Sequence, residues 1–144
     1  MTRVLYADTS ALARLYLADE PDAEMLRELL LESAEAVLAS ELVRVELARA
    51  IKNGERSGRI SDAASALERV DADLDRSIAL VDFDPTTILP RARELVLDHR
   101  LGTLDAMHLA VALEESRSTS DPVVFVTRDH GQAEAARALG FSLV

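Results

Sequence analysis

Four carboxylates stand where an ordinary surface acid would not. Asp8 directly follows the apolar run Val4-Leu5-Tyr6-Ala7, and Asp129 stands just beyond Val123-Val124-Phe125-Val126. Both runs read as buried strands. In parallel α/β sheets ligands bind outside the carboxyl ends of the strands, so Asp8 and Asp129 would emerge at one edge. Each position also suits a helix N-cap. Glu46 lies inside a helical pattern, and of its neighbours three and four residues away Leu42, Val43 and Ala50 are apolar or small, with Arg49 the exception. Such neighbours share a helix face, which turns Glu46 toward the core unless a salt bridge to Arg49 or an edge position takes it to water. A lone buried carboxylate is costly unless it is paired or bound to a cation. Asp105 falls in the first turn of a helix opened by Thr103, among Leu101, Leu104, Met107 and Leu109. The helix dipole favours an acid there, and the apolar stripe beside it would turn that acid into a cleft.

Carboxylates brought close repel one another, and some are driven to protonate. A divalent cation relieves the repulsion, and ligation by oxygen alone selects Mg²⁺ or Mn²⁺ over zinc. Such an ion activates water and stabilises charge developing on a phosphate. If the four acids meet in space, the chemistry they suit is phosphodiester hydrolysis. The chain holds 26 Asp and Glu residues, so most are solvated surface. Glu28, Glu32, Glu68, Glu114 and Asp98 are read that way.

The elements that must position the four acids alternate along the chain. Strands are expected at Val4–Ala7, Ala36–Ala39, Ile78–Val81, Val123–Val126 and Phe141–Leu143. Helices are expected at Ser10–Leu17, Asp22–Leu31 and Glu41–Asn53. A turn is expected at Gly54–Gly58, followed by a helix capped by Ser61 and running to about Asp73. Asp84-Pro85 looks like a helix start. Pro90 fits poorly inside a helix, so a short turn is expected first and a helix from about Pro90 to Asp98. Further helices run from Thr103 to about Ser116 and from Gly131 to Leu139, the last stopped by Gly140. Apolar strands separated by helices indicate a parallel sheet covered on both faces. With 144 residues, no internal repeat and no dividing linker, the expectation is one three-layer α/β/α domain over residues 1–144, with a central parallel sheet of about five strands.

Composition narrows the function classes. Apolar residues make up 49% and charged residues 29%, the balance of a globular domain rather than a disordered chain. Cysteine is absent, which excludes a disulfide framework and thiolate metal sites. The first apolar run is cut by Asp8 too early for a signal peptide, and nothing approaches the ~18 apolar residues of a membrane span. The chain is read as cytoplasmic, without a membrane partner. Its net charge of −10 argues against general nucleic-acid binding, which rests on cations. Arg49, Lys52, Arg56 and Arg59 nevertheless follow helical spacing and would form a local RNA-facing strip, or an ordinary solvated face.

Four blocks carry a resemblance. They are Asp8-Thr9-Ser10-Ala11-Leu12, Ser40-Glu41-Leu42-Val43-Arg44-Val45-Glu46-Leu47, Leu104-Asp105-Ala106-Met107-His108-Leu109-Ala110, and Val126-Thr127-Arg128-Asp129 before an Ala-rich helix ending in Leu139-Gly140-Phe141. In this order and spacing they resemble the PIN-domain ribonucleases, most closely the VapC-type toxins of bacterial toxin–antitoxin modules, from Val4 to Leu143. The resemblance implies a Mg²⁺-dependent endoribonuclease, with Mn²⁺ a possible substitute. It implies that Asp8, Glu46, Asp105 and Asp129 are the catalytic, metal-binding quartet. Asp8 and Asp105 are the direct metal ligands, while Glu46 and Asp129 bind directly or through water. Thr9, Ser10 and Thr127 match small hydroxyl positions beside the acids, and capping or strand-end hydrogen bonding accounts for Ser10. It also implies an RNA substrate, a cognate VapB-like antitoxin whose C-terminal segment covers the site, and a homodimer. A basic antitoxin segment suits the charge of −10. His108 reads as a packed, hydrogen-bonded histidine, and His99 and His130 have no argued role.

Other classes fit less well. A haloacid-dehalogenase-like phosphatase would want an Asp where Ser10 stands, and a receiver-like site would want a late Lys, yet the only Lys is Lys52. No glycine-rich nucleotide fingerprint follows any strand. A non-catalytic binding module that keeps the PIN shape is the remaining alternative.

Overall fold

A computed structural model describes residues 2–17 and 20–144. The strands are β1 (Val4–Ala7), β2 (Ala36–Ser40), β3 (Ala79–Val81), β4 (Val123–Val126) and β5 (Ser142–Leu143). The helices are α1 (Thr9–Ala13), α2 (Ala23–Arg27), α3 (Val43–Arg56), α4 (Ala63–Ser77), α5 (Pro85–Asp98), α6 (Thr103–Ser118) and α7 (His130–Ala138). A tight turn at Arg14–Tyr16 follows α1, and a wide one at Glu28–Glu32 follows α2. The strands form one parallel sheet in the order β3-β2-β1-β4-β5.

Strand alternation sorts the core into two layers. Leu5, Ala7, Val37, Ala39, Val124 and Val126 pack with α1 to α4 on one face. Tyr6, Val123 and Phe125 pack with α5, α6 and α7 on the other. The expected three-layer α/β/α architecture is therefore present. Among the described residues no helix is long and apolar enough to cross a membrane.

The strand order also places the site. The chain winds outward from β1 through β2 to β3, then returns to add β4 and β5 on the other side of β1. The order reverses between β1 and β4, which is where open α/β sheets form a crevice at their carboxyl edge. The register pairs Ala7 with Val126, so the next residues, Asp8 and Thr127, leave the sheet side by side.

Three local expectations are corrected. Residues 85–98 form one helix, with Pro90 inside it. Asp84 caps that helix through Oδ1, which accepts from Thr86 N at 3.0 Å, and Pro85 occupies its first turn. Ile88, Ala92 and Leu95 bury a continuous stripe, and this tertiary packing outweighs the missing Pro90 N–H. The orphaned carbonyl belongs to Thr86, an exposed residue, so it is not buried without a partner. Gly54 does not begin a turn, since α3 runs through it to Arg56. A Cβ there would sit 2.7 Å from Ile60 Cδ1, so this glycine serves close packing. The helix stops only at Ser57 and Gly58, whose φ is +82°. Finally, Asp62 rather than Ser61 caps α4, accepting from Ala64 N and Ser65 N, and buried Leu74 carries that helix past Asp73 to Ser77.

Replacing Pro90 with Ala should stabilise the fold by roughly 1–3 kcal/mol. The gain would be read as a higher urea midpoint with an unchanged slope.

Candidate active site

Asp8 ends β1 with its backbone N–H donating to Val126 O at 3.1 Å. Its side chain is 1% exposed. Oδ1 accepts from Ser10 Oγ at 2.7 Å and from Ala11 N at 3.1 Å, and Oδ2 accepts from Thr127 Oγ1 at 2.5 Å. The expected cap of α1 is therefore made, but it uses only one face of the carboxylate. Oδ1 is saturated and Oδ2 keeps one lone pair free. Ser10 also accepts from Arg128 N at 2.8 Å, and Thr127 accepts from Asp129 N at 3.1 Å, which ties the ends of β1 and β4 together. Arg128 anchors that corner further. It pairs with Asp22 through Nε and donates from Nη1 to Thr127 O and Val144 O at 2.7 and 2.8 Å.

Glu46 lies on α3 beside the stripe formed by Val43, Leu47, Ile51 and Gly54. Its partner is not Arg49. Oε1 accepts from Thr9 Oγ1 at 2.9 Å and from His108 Nε2, which lies 3.3 Å from Thr9 Oγ1 as well. His108 is fully buried on α6, one turn beyond Asp105. Three elements, α1, α3 and α6, thus meet at one oxygen of Glu46 while Oε2 stays uncommitted.

Asp105 is the third residue of α6, whose N-cap is Gly102. Gln132 of α7 is buried and donates from Nε2 to Asp105 O at 2.9 Å, fixing the backbone under the carboxylate. Asp129 occupies the N-cap position of α7 but makes no capping bond through its side chain. Its carboxylate is left free for other work.

The electrostatics record how near the four acids are. Asp105 is pushed up to about 6, first by burial and then by the charges of Asp129, Asp8 and Glu46, with His108 opposing. Burial also raises Asp8, against the hydrogen bonds from Thr127, Ser10 and Ala11. Burial would raise Glu46 too, but the bonds from His108 and Thr9 hold it below the usual carboxylate range. Glu46 is therefore an anion matched to protein donors, and Asp105 is an acid whose neighbours are other acids.

The chain matches the family model described as PIN domain over residues 5–138. The chain belongs to the PIN domain family. The fold of this PIN domain is shared by solved structures of low sequence identity. VapC20 of Mycobacterium tuberculosis, a toxin that cleaves the sarcin-ricin loop, is 18% identical with a TM-score of 0.66, covering 95% of each chain. VapBC2 of Rickettsia felis, bound to a DNA fragment of its promoter, is 16% identical with a TM-score of 0.68, covering 98% of this chain and 97% of the other. DNA-bound VapBC of Salmonella typhimurium is 17% identical with a TM-score of 0.64, covering 100% and 98%. No curated protein sequence is significantly similar to the chain.

The residues of this PIN domain can be tested against a divalent ion. Among the described residues, no three His, Asp or Glu side chains are gathered closely enough to hold one ion between them. Mg²⁺ asks for less, because it keeps several waters and takes one or two carboxylates. Asp8 has a free lone pair, Asp105 and Asp129 have no side-chain donor, and Glu46 has a free oxygen, so the donor set fits a hydrated hard cation.

The expected packed, hydrogen-bonded His108 is present, but sequence reasoning did not identify Glu46 and Thr9 as its partners or find the Gln132 prop. Their signal was spacing, since each polar residue follows an acid of the quartet by one helical turn, His108 after Asp105 and Gln132 after Asp129.

Two outcomes follow from this geometry. His108→Ala removes a buried ring and leaves Glu46 short of a donor, and should destabilise the protein by about 2–4 kcal/mol in urea melts. The folded value of Asp105 lies above the unfolded one, so the folded protein holds the extra proton between about pH 4 and 6 and loses stability as pH rises through that window. Asp105→Asn should therefore raise the melting temperature of chelator-treated protein at about pH 7. The gain should be worth about 1 kcal/mol after allowance for its half-exposed position, and should vanish at about pH 4.

Proposed function

We propose that this single PIN domain, residues 1–144, is a metal-dependent endoribonuclease that hydrolyses RNA phosphodiester bonds as the toxin of a toxin–antitoxin pair. The observation that supports the reading is that Asp8, Glu46, Asp105 and Asp129 border the switch point of a PIN-family sheet, where burial first and then the charges of the other three raise Asp105 to about 6. Asp8 and Asp105 would hold Mg²⁺ (or Mn²⁺) directly, and Glu46 and Asp129 would do so directly or through water. When bound, the ion supplies an activated water and neutralises charge on the phosphate.

The chain's own residues do the positioning. Thr127, Ser10 and the Ala11 N–H fix the rotation of Asp8. His108 and Thr9 hold Glu46 ionised through Oε1 and leave Oε2 uncommitted. Gln132 fixes the backbone of Asp105. Preorganised carboxylates of this kind cost no reorganisation at the moment of reaction.

The proposed partners follow from charge and surface. A chain of net charge −10 suits a basic segment of a VapB-like antitoxin laid over the acid site. Leu89, Val96 and Leu97 on α5 are exposed beside a shallow apolar groove of about 240 Å³ that Met107 also lines. That face suits the second copy of a homodimer. The proposed compartment is the cytoplasm, where RNA and an antitoxin would both be met.

The test is cleavage of a total-RNA pool with Mg²⁺, with Mn²⁺ and with chelator. Discrete fragments that require metal and fall more than about 100-fold in Asp8→Asn are expected, since losing a ligand exceeds the 10–100-fold cost of losing a supporting partner. Intact RNA under every condition, from folded protein free of antitoxin, would favour a non-catalytic PIN-fold binding module.

A further inference from the structure

Beside the acid site runs a groove of about 340 Å³ between α1, α3 and the first turn of α6. It shares Thr9, Ser10 and Glu46 with the site and continues along Ala13, Val45, Arg49, Asn53 and Leu104. Its volume lies within the ~300–1,000 Å³ of small-ligand pockets.

The composition of the groove selects its occupant. Val45 is 74% exposed and Leu104 42% exposed, two large apolar side chains left in water on opposite elements. A single exposed aliphatic residue needs no explanation, but these two line one groove that opens on a carboxylate centre. Arg49 lies one turn beyond Glu46 on α3, is exposed, and forms no ion pair among the described residues. By contrast Lys52 pairs with Glu55, and Arg59 with Glu20, so two of the four cations expected from spacing are paired, and Arg56 does not line the groove. Asn53, one further turn along, offers an amide with both donor and acceptor capacity. An apolar bed, one unpaired guanidinium and one amide are the complement of a nucleobase, its phosphate and its hydrogen-bonding edge. A basic peptide would meet a cation of its own sign at Arg49.

We infer that this groove is a nucleotide subsite for single-stranded RNA next to the scissile bond. Val45 and Leu104 pack on the base, Arg49 contacts the flanking phosphate, and Asn53 contacts the base edge. The inference rests on the ribonuclease reading and assigns to that site the residues that bind substrate without touching the reacting atoms.

The experiment measures binding of a short, fluorescein-labelled single-stranded RNA of mixed sequence by anisotropy over a salt series. It uses the full chain carrying Asp8→Asn so that the probe stays intact. Arg49→Ala should weaken binding about 5-fold or more and reduce the salt slope by about 0.7, the single-strand value for one phosphate contact. Arg49→Lys should restore the slope. Leu104→Ser and Val45→Ser should each weaken binding roughly 4-fold with an unchanged slope. Met25→Ser, an exposed apolar residue of α2 outside the groove, controls for general surface effects and should bind as the parent does. In the cleaving parent background, the groove variants should raise KM more than they lower kcat. If the parent binds and cleaves RNA and the groove variants match it in affinity, slope and KM, the subsite is overturned and the nuclease reading stands. If the parent neither binds nor cleaves RNA, both fall. If the variants lose affinity only for an Arg-rich peptide, the groove belongs to a protein partner and the subsite is likewise overturned.

Discussion

Burying Asp8 at the end of the central strand, where its charge acts on Asp105, is the constraint on which the rest of the site depends. Like charges in a low-dielectric crevice repel strongly, and each acid here has a separate means of tolerating the others. Asp8 accepts three hydrogen bonds, Glu46 is tied to His108 and Thr9, and Asp129 sits where a helix N-terminus favours negative charge. Asp105 also lies in the first turn of a helix but has no side-chain donor, and burial first, then the charges of Asp129, Asp8 and Glu46, push it up to about 6. The site is thus held short of neutrality by design of the surrounding donors, and the shortfall is one that a divalent cation is suited to fill.

The scaffold supports this arrangement from both faces of the sheet. Asp8 and Glu46 belong to elements packed on one face, Asp105 and His108 to the other, and the crevice between β1 and β4 is where the two layers reach the same edge. His108 crosses from α6 to α3, and Gln132 from α7 to α6, so the acids are positioned by contacts between elements more than by any single loop. This explains why buried polar side chains gather here. Asp8, His108, Thr127 and Gln132 are buried at this edge, and all but Gln132 form part of the hydrogen-bonded mesh around the acids, while Gln132 secures the backbone beneath.

Much of the fold was legible because the strands are short apolar runs and the helices carry clear stripes. Asp8 and Asp129 were legible as strand-end acids, and Glu46 as an acid on an apolar helix face. What sequence could not resolve was partner choice. Arg49 is the nearer neighbour of Glu46 along the helix, yet a buried histidine from a distant helix takes the contact, because burial makes an inter-element hydrogen bond worth more than a solvent-exposed ion pair. Pro90 and Gly54 were misread for a related reason. Local breaker chemistry was outweighed by the Ile88–Ala92–Leu95 stripe in one case and by close packing against Ile60 in the other. Asp62 outcompeted Ser61 as a cap by register alone.

The crowding of carboxylates around Asp105 is the central claim, and the most direct measurement is the titration of its side-chain carboxyl carbon by NMR in metal-free protein. The account predicts a midpoint near 6 that moves down toward the ordinary aspartate range in Asp129→Asn. A midpoint near the ordinary value of about 4 in the parent, unchanged by that substitution, would contradict it.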